Sequence, residues 1–261
     1  MTIYLHVGEA TDTGRVRDHN EDGYVVDRDL QFAAVADGMG GHRGGEVASA
    51  TALDALHATF AESGGLHDAV VAANTAVIAR AHKDQGLQGM GTTLTAGVLG
   101  DDGTLLIGHV GDSRAYLMHD GELARITTDH SVVEELIAAG ELTEEERERD
   151  PRRSMITRGI GLASEVDVDL YPVALEAGDR VMLCSDGLTS MVGEDAIADV
   201  LQAESDPTTA ARQLVDAANA AGGVDNITVL ILDAHDAPTA GDERESGGGK
   251  KRRFGIFGRR R

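Results

Sequence analysis

Two apolar runs, 93–99 and 104–110, are separated only by Gly100-Asp101-Asp102-Gly103. Four residues of this kind reverse a chain tightly and leave no room for a crossover helix, so the runs must pair antiparallel. Asp120-Gly121 predicts a second reversal after the run 114–119. Further strand-like runs lie at 31–36, 180–184 and 227–232, with a shorter one at Tyr24-Val25-Val26. A parallel doubly wound sheet is disfavoured by these hairpins.

Helices fall between the strands. Val47, Ala50, Leu53, Leu56 and Phe60 form one apolar stripe, and Leu66, Val70, Ala73, Val77 and Ala81 form another. Asp206-Pro207 has the form of a cap followed by proline at the first helical position. The stripes are narrow and alanine-rich, which suits helices laid on a sheet face. The expected class is α+β, layered. Residues 130–160 differ: a short helix is predicted at 130–139, then Thr143-Glu144-Glu145-Glu146 in capping-box form before a charged run. This segment is expected to be a surface excursion.

With 261 residues and 41% apolar content, the chain can bury a substantial core. The folded part is expected over 1–235, followed by a Gly-rich polar linker at 236–248 and a basic tail at 249–261. Cys184 is the one cysteine, which excludes an intrachain disulfide framework and a cysteine-built zinc site. No apolar run reaches the roughly 18–20 residues that span a bilayer, and residues 1–10 lack a signal-peptide pattern. A cytoplasmic location is expected.

The net charge of −22 argues against nucleic acid as a general partner. The charge is uneven. Taking the seven basic residues of 249–261 from the 23 Lys+Arg leaves 16 against 45 Asp+Glu, a body near −29. The tail, with Phe254, Ile256 and Phe257 among its basic residues, suits an anionic membrane surface or an acidic partner; a plain solubilising end is the alternative.

Aspartates recur where strands end. The run to Ala36 meets Asp37-Gly38, that to Val110 meets Gly111-Asp112, that to Cys184 meets Ser185-Asp186-Gly187, and Asp225-Asn226 opens the last run. Any one of these on its own reads first as a turn. Four together suggest carboxylates aimed at one point above a sheet, where mutual repulsion demands a cation. All-oxygen ligands suit magnesium or manganese. Arg17, Glu21 and Asp22 form a second group before Tyr24. An arginine beside such a site can grip a phosphate bidentately, and a surface salt-bridge cluster is the alternative.

Eight segments occur in order: GRVRDHNED, VADGMGGHRGGEVAS, MGTTLT, HVGDSRAYL, TTDHS, RRSMITRGIG, LCSDGL and GGVDNITV. Together they resemble the PPM family, the type-2C metal-dependent protein phosphatases, in its bacterial branch. The resemblance implies a four-layer α-β-β-α sandwich with two central antiparallel sheets, a surface flap at about 130–160, and a site at one end. It implies two manganese or magnesium ions, with Asp37 bridging, the Gly38 carbonyl coordinating, and Asp186 and Asp225 completing one ion's ligands. Glu21 and Asp22 would act through waters, Arg17 would hold the substrate phosphate, and Asp112 would serve a third ion. The implied reaction is hydrolysis of phosphoserine and phosphothreonine in proteins by a metal-activated water, opposing bacterial kinases. The family resemblance leans towards a monomer. A non-catalytic phosphoprotein-binding scaffold and a small-molecule phosphohydrolase are the alternatives.

The chain departs from the pattern at Met39, where animal members carry a histidine proposed as general acid; His42 is the substitute to expect, or else a histidine that orders its loop. Asp150-Pro151 stands where bacterial relatives often have His-Pro. Cys184 lacks a C-x5-R loop and reads as a buried structural thiol. Ser113 lacks a triad setting, and His57, His67, His82 and His109 read as packing, surface or supporting residues.

Overall fold

The computed structural model describes residues 3–40, 44–147 and 150–236. The expected tail and all but the first residue of the expected linker lie outside them. In chain order the strands are β1 (Ile3–Asp12), β2 (Asp22–Asp27), β3 (Phe32–Met39), β4 (Gly91–Thr92), β5 (Leu94–Leu99), β6 (Thr104–Val110), β7 (Arg114–His119), β8 (Glu122–Arg125), β9 (Asp169–Ala174), β10 (Arg180–Cys184) and β11 (Ile227–Asp236). The helices are α1 (Gly44–Ser63), α2 (Leu66–Lys83), α3 (Val132–Ala138), α4 (Glu144–Arg147), α5 (Asp186–Thr189), α6 (Glu194–Ala203) and α7 (Pro207–Ala220).

The turn chemistry works as expected. Gly103 takes φ +82° and the ends of the β5–β6 hairpin close through Gly100 N–H to Thr104 O, at 2.9 Å. Asp120 and Gly121 both have positive φ, 49° and 83°, as the tight β7–β8 reversal requires. The strands form two antiparallel sheets. One runs β1-β11-β10-β7-β8; the other runs β2-β3-β5-β6-β9, with β4 beside β3.

Alternation along the central strands builds the layers. On β3, Phe32, Ala34 and Ala36 pack with Leu56, Val70 and Val77 of α1 and α2. Their neighbours Ala33 and Val35 join Val181, Leu183, Leu230 and Leu232 between the sheets. On β10 and β11 the opposite face, Met182, Cys184, Val229 and Ile231, meets Ile197, Leu201 and Leu214 of α6 and α7. Strands covered on both faces carry near-continuous apolar runs, as here. Cys184 is fully buried in this layer, as its sequence setting suggests. The architecture is the expected four-layer α-β-β-α sandwich.

The α7 start also matches expectation: Asp206 accepts from Thr209 N–H at 2.7 Å and Pro207 follows. Residues 130–160 carry α3 and α4 outside the layers. Thr143 N–H donates to Glu146 at 3.0 Å, the returning half of a capping box. The excursion closes on itself through the Ser131–Ile156 bridge and rejoins the body through the Thr92–Ile160 bridge.

Candidate functional site

One difference from the sequence reading changes the geometry. Asp37 and Gly38 do not follow β3 but lie within it, and Asp37 is paired in register with Asp22 of β2. Like charges directly opposite each other destabilise a sheet, so this pairing needs an outside cause. Asp186 is the first residue of α5, two residues after the end of β10, and Asp225 stands two residues before β11. Both therefore come from the other sheet. Asp37, Asp112, Asp186 and Asp225, with Arg17, Glu21, Gly38, Met39 and Ser154, line one open cavity of about 590 Å³.

Each carboxylate has a built setting. Asp37 is fixed through its backbone: its N–H donates to Thr93 Oγ1 at 2.9 Å, and its carbonyl accepts from Thr92 Oγ1 at 2.8 Å. Asp22 Oδ2 accepts from Ser185 Oγ and Thr228 Oγ1, both at 2.7 Å, while its buried Oδ1 has no partner. Arg17 donates to Asp225 at 2.7 Å. Asn226 is the hub behind them. Its Oδ1 accepts from Glu21 N–H at 2.8 Å, and its amide nitrogen donates to the carbonyls of Thr13 and His19, each at 2.9 Å. It thus pins the Arg17–Glu21 loop to the root of β11. Gly38 is required sterically, since a Cβ there would lie 2.2 Å from the Gly45 carbonyl oxygen.

The electrostatics follow from this crowding. Burial pushes the Asp22 carboxyl up to about 7, against the pull of Ser185 and Thr228, and the charges of Asp186 and Asp225 add to the rise. Burial and the Asp186 charge push Asp112 up to about 8, with Arg114 opposing. Asp37 is raised well above the ordinary carboxylate range by burial and then by Asp22, Asp186, Asp112 and Asp225. Asp186 is raised by burial and Asp225, although a hydrogen bond with Asp37 offsets part of this. These carboxylates resist ionisation together, so the site is shaped for positive charge.

A family model for protein phosphatase 2C matches residues 14–219. The chain belongs to that family. The serine/threonine phosphatase stp of Listeria welshimeri is 38% identical over 242 residues, spanning 88% of this chain and 96% of the relative. The serine/threonine protein phosphatase PstP of Mycobacterium tuberculosis is 41% identical over 242 residues, 90% of this chain but 46% of that protein. The crystal structure of PstP superposes with a TM-score of 0.83 at 40% identity, covering 89% of this chain and 99% of that one. A PstP catalytic domain in complex with two manganese ions gives 0.82 at 38%, covering 90% and 100%.

The residues present fit such ions. The donors are all oxygens, one carboxylate oxygen of Asp22 is buried without a partner, and two like charges sit opposite on paired strands. His42 lies outside the described residues. Sequence reasoning found the acidic residues and Arg17 but missed their supports: Thr93, Ser185, Asn226 and Thr228. Their signal was present, since Thr93 stands in MGTTLT, Ser185 in LCSDGL, and Asn226 and Thr228 in GGVDNITV.

Proposed function

We propose that this phosphatase hydrolyses phosphoserine and phosphothreonine on proteins, with manganese or magnesium held by Asp37, the Gly38 carbonyl, Asp186 and Asp225. The observation that carries the reading is the convergence of mutually repelling carboxylates from both sheets beside Arg17. When bound, two such ions activate water for attack and neutralise charge on the phosphoryl oxygens. Asp22 and Glu21 would act on such ions through bound waters. Asp112 lies towards the flap side, where a third ion would sit. Arg17 is half-exposed and bonded to Asp225; turning to the phosphate, its planar fork matches two phosphoryl oxygens. His42 is the group we assign to protonate the leaving alkoxide. Substrates on this reading are phosphorylated kinases or their targets, and the enzyme acts as a cytoplasmic monomer.

The test is phosphate release from a phosphothreonine peptide, with and without manganese, for wild type and Asp186→Ala. Release should require the metal. It should fall about a hundredfold or more in the variant, the worth of several kcal/mol of charge stabilisation. Release that survives Asp186→Ala would refute the ligand assignment.

A further inference from the structure

His130 opens the flap and is nearly buried, at 8% exposed. It holds Gly111 from both sides. The Gly111 N–H donates to His130 Nδ1 at 3.0 Å, and the His130 N–H donates back to the Gly111 carbonyl at 2.7 Å. The His130 carbonyl accepts from Thr157 N–H at 2.8 Å, on the limb by which the flap returns. Its Nε2 meets Asp169 Oδ2 of β9 at 3.1 Å. Asp169 is itself fixed by Arg158 at 2.8 Å and the Tyr171 hydroxyl at 3.2 Å.

Chemistry fixes the proton. A backbone N–H can only donate, so Nδ1 must present its lone pair and Nε2 must carry the hydrogen given to Asp169. The ring faces His109 of β6 with centroids 4.8 Å apart, Asp169 of β9, Arg158 of the returning limb, and Asp129 next along the chain. Burial and the Arg158 charge favour the neutral ring over the opposing pull of Asp169. Burial likewise drives His109 down to about 3, so no second imidazolium stands beside it. Gly111 has no slack on its other side: it sits at φ +113°, and a Cβ there would lie 2.6 Å from the Thr93 side chain. Asp112 is the next residue.

We propose that His130 is a positioning residue that ties the flap to the Asp112 turn. Its ring and backbone clamp Gly111 and so set the direction from which the Asp112 carboxylate enters the cavity, while its carbonyl fixes the returning flap limb. Displacement of the flap is then felt at Asp112, and the reverse. The inference rests on the phosphatase reading for its kinetic consequence, but its geometry stands apart from activity.

The first measurement is therefore spectroscopic. Nitrogen-15 NMR of the histidine-labelled, metal-free full chain at neutral pH should show His130 as the neutral Nε2–H tautomer. An Nδ1–H tautomer or a charged ring would overturn the proposal, whether or not the protein proves to be a phosphatase. Two variants follow. His130→Gln keeps an acceptor for Gly111 and a donor for Asp169; His130→Leu fills the space with neither. His130→Leu should lower kcat on a phosphothreonine peptide about tenfold, the scale of one lost buried hydrogen bond. KM should stay near wild type, and trypsin should cut within 143–153 faster. His130→Gln should stay within about threefold of wild type on both counts. Equal damage in both variants, or none in either, would overturn the coupling.

Discussion

Asn226 shows how much a single amide can organise. It is 4% exposed, and its side chain satisfies three backbone groups from a loop some two hundred positions away in sequence. Its own N–H donates to Asp225 at 2.8 Å, so one residue holds both that aspartate and the loop bearing Arg17. Asn226→Ala leaves a buried donor and two carbonyls unmet, a loss of about 2–3 kcal/mol of stability. The displaced Arg17 should raise KM for a phosphopeptide about tenfold. Urea unfolding and steady-state kinetics read the two effects, and an unchanged KM would show that the loop keeps its place without the amide. The charged residues of the site were legible because carboxylates beside glycine at strand ends are a chemical pattern. Asn226 was visible as part of Asp225-Asn226, but a supporting role depends on a partner brought close only by folding.

Elements divide in the same way. Strands β5, β6, β7 and β10 and helices α1, α2 and α7 were readable because each is long, apolar on a clear period, or bounded by turn chemistry. Others were not. β1 pairs with β11 along its whole length, yet Gly8 and Glu9 break the alternation that Leu5 and Val7 set with Tyr4 and His6. β9 contains Pro172, which a sheet tolerates because β9 is an edge strand. α6 buries only Ile197 and Leu201. Gly8 explains one interruption. A Cβ there would lie 2.2 Å from the backbone of Pro207 and Thr208, where α7 begins against β1. Gly8→Ala should destabilise the fold by about 1–3 kcal/mol through overpacking. The clash lies at the β1–α7 contact, so activity per folded molecule should be unchanged. Chemical denaturation beside active-site titration separates the two quantities, and a loss of specific activity would place β1 in the catalytic machinery after all.

For the whole molecule, the raised carboxyls set a pH dependence. The Asp22 and Asp112 carboxyls lie near 7 and 8 in the folded, metal-free protein, against about 4 when unfolded. Between those values the folded state binds more protons than the unfolded state, so stability falls as pH rises. In chelator, the melting temperature should drop by about 5 °C or more from pH 5 to pH 8. Manganese should flatten that slope by compensating the charges. Scanning calorimetry across that range, with and without the metal, tests this; a flat profile in chelator would remove the repulsion from the account. A related consequence comes from the two-sheet origin of the carboxylates. Asp37 lies in one sheet, while Asp186 and Asp225 stand at the ends of β10 and β11 of the other. Ions shared among them would sew the two halves of the sandwich together at one rim. Starving a cell of manganese would then loosen the seam as well as halt turnover, and the enzyme's survival against proteases would become a gauge of metal supply.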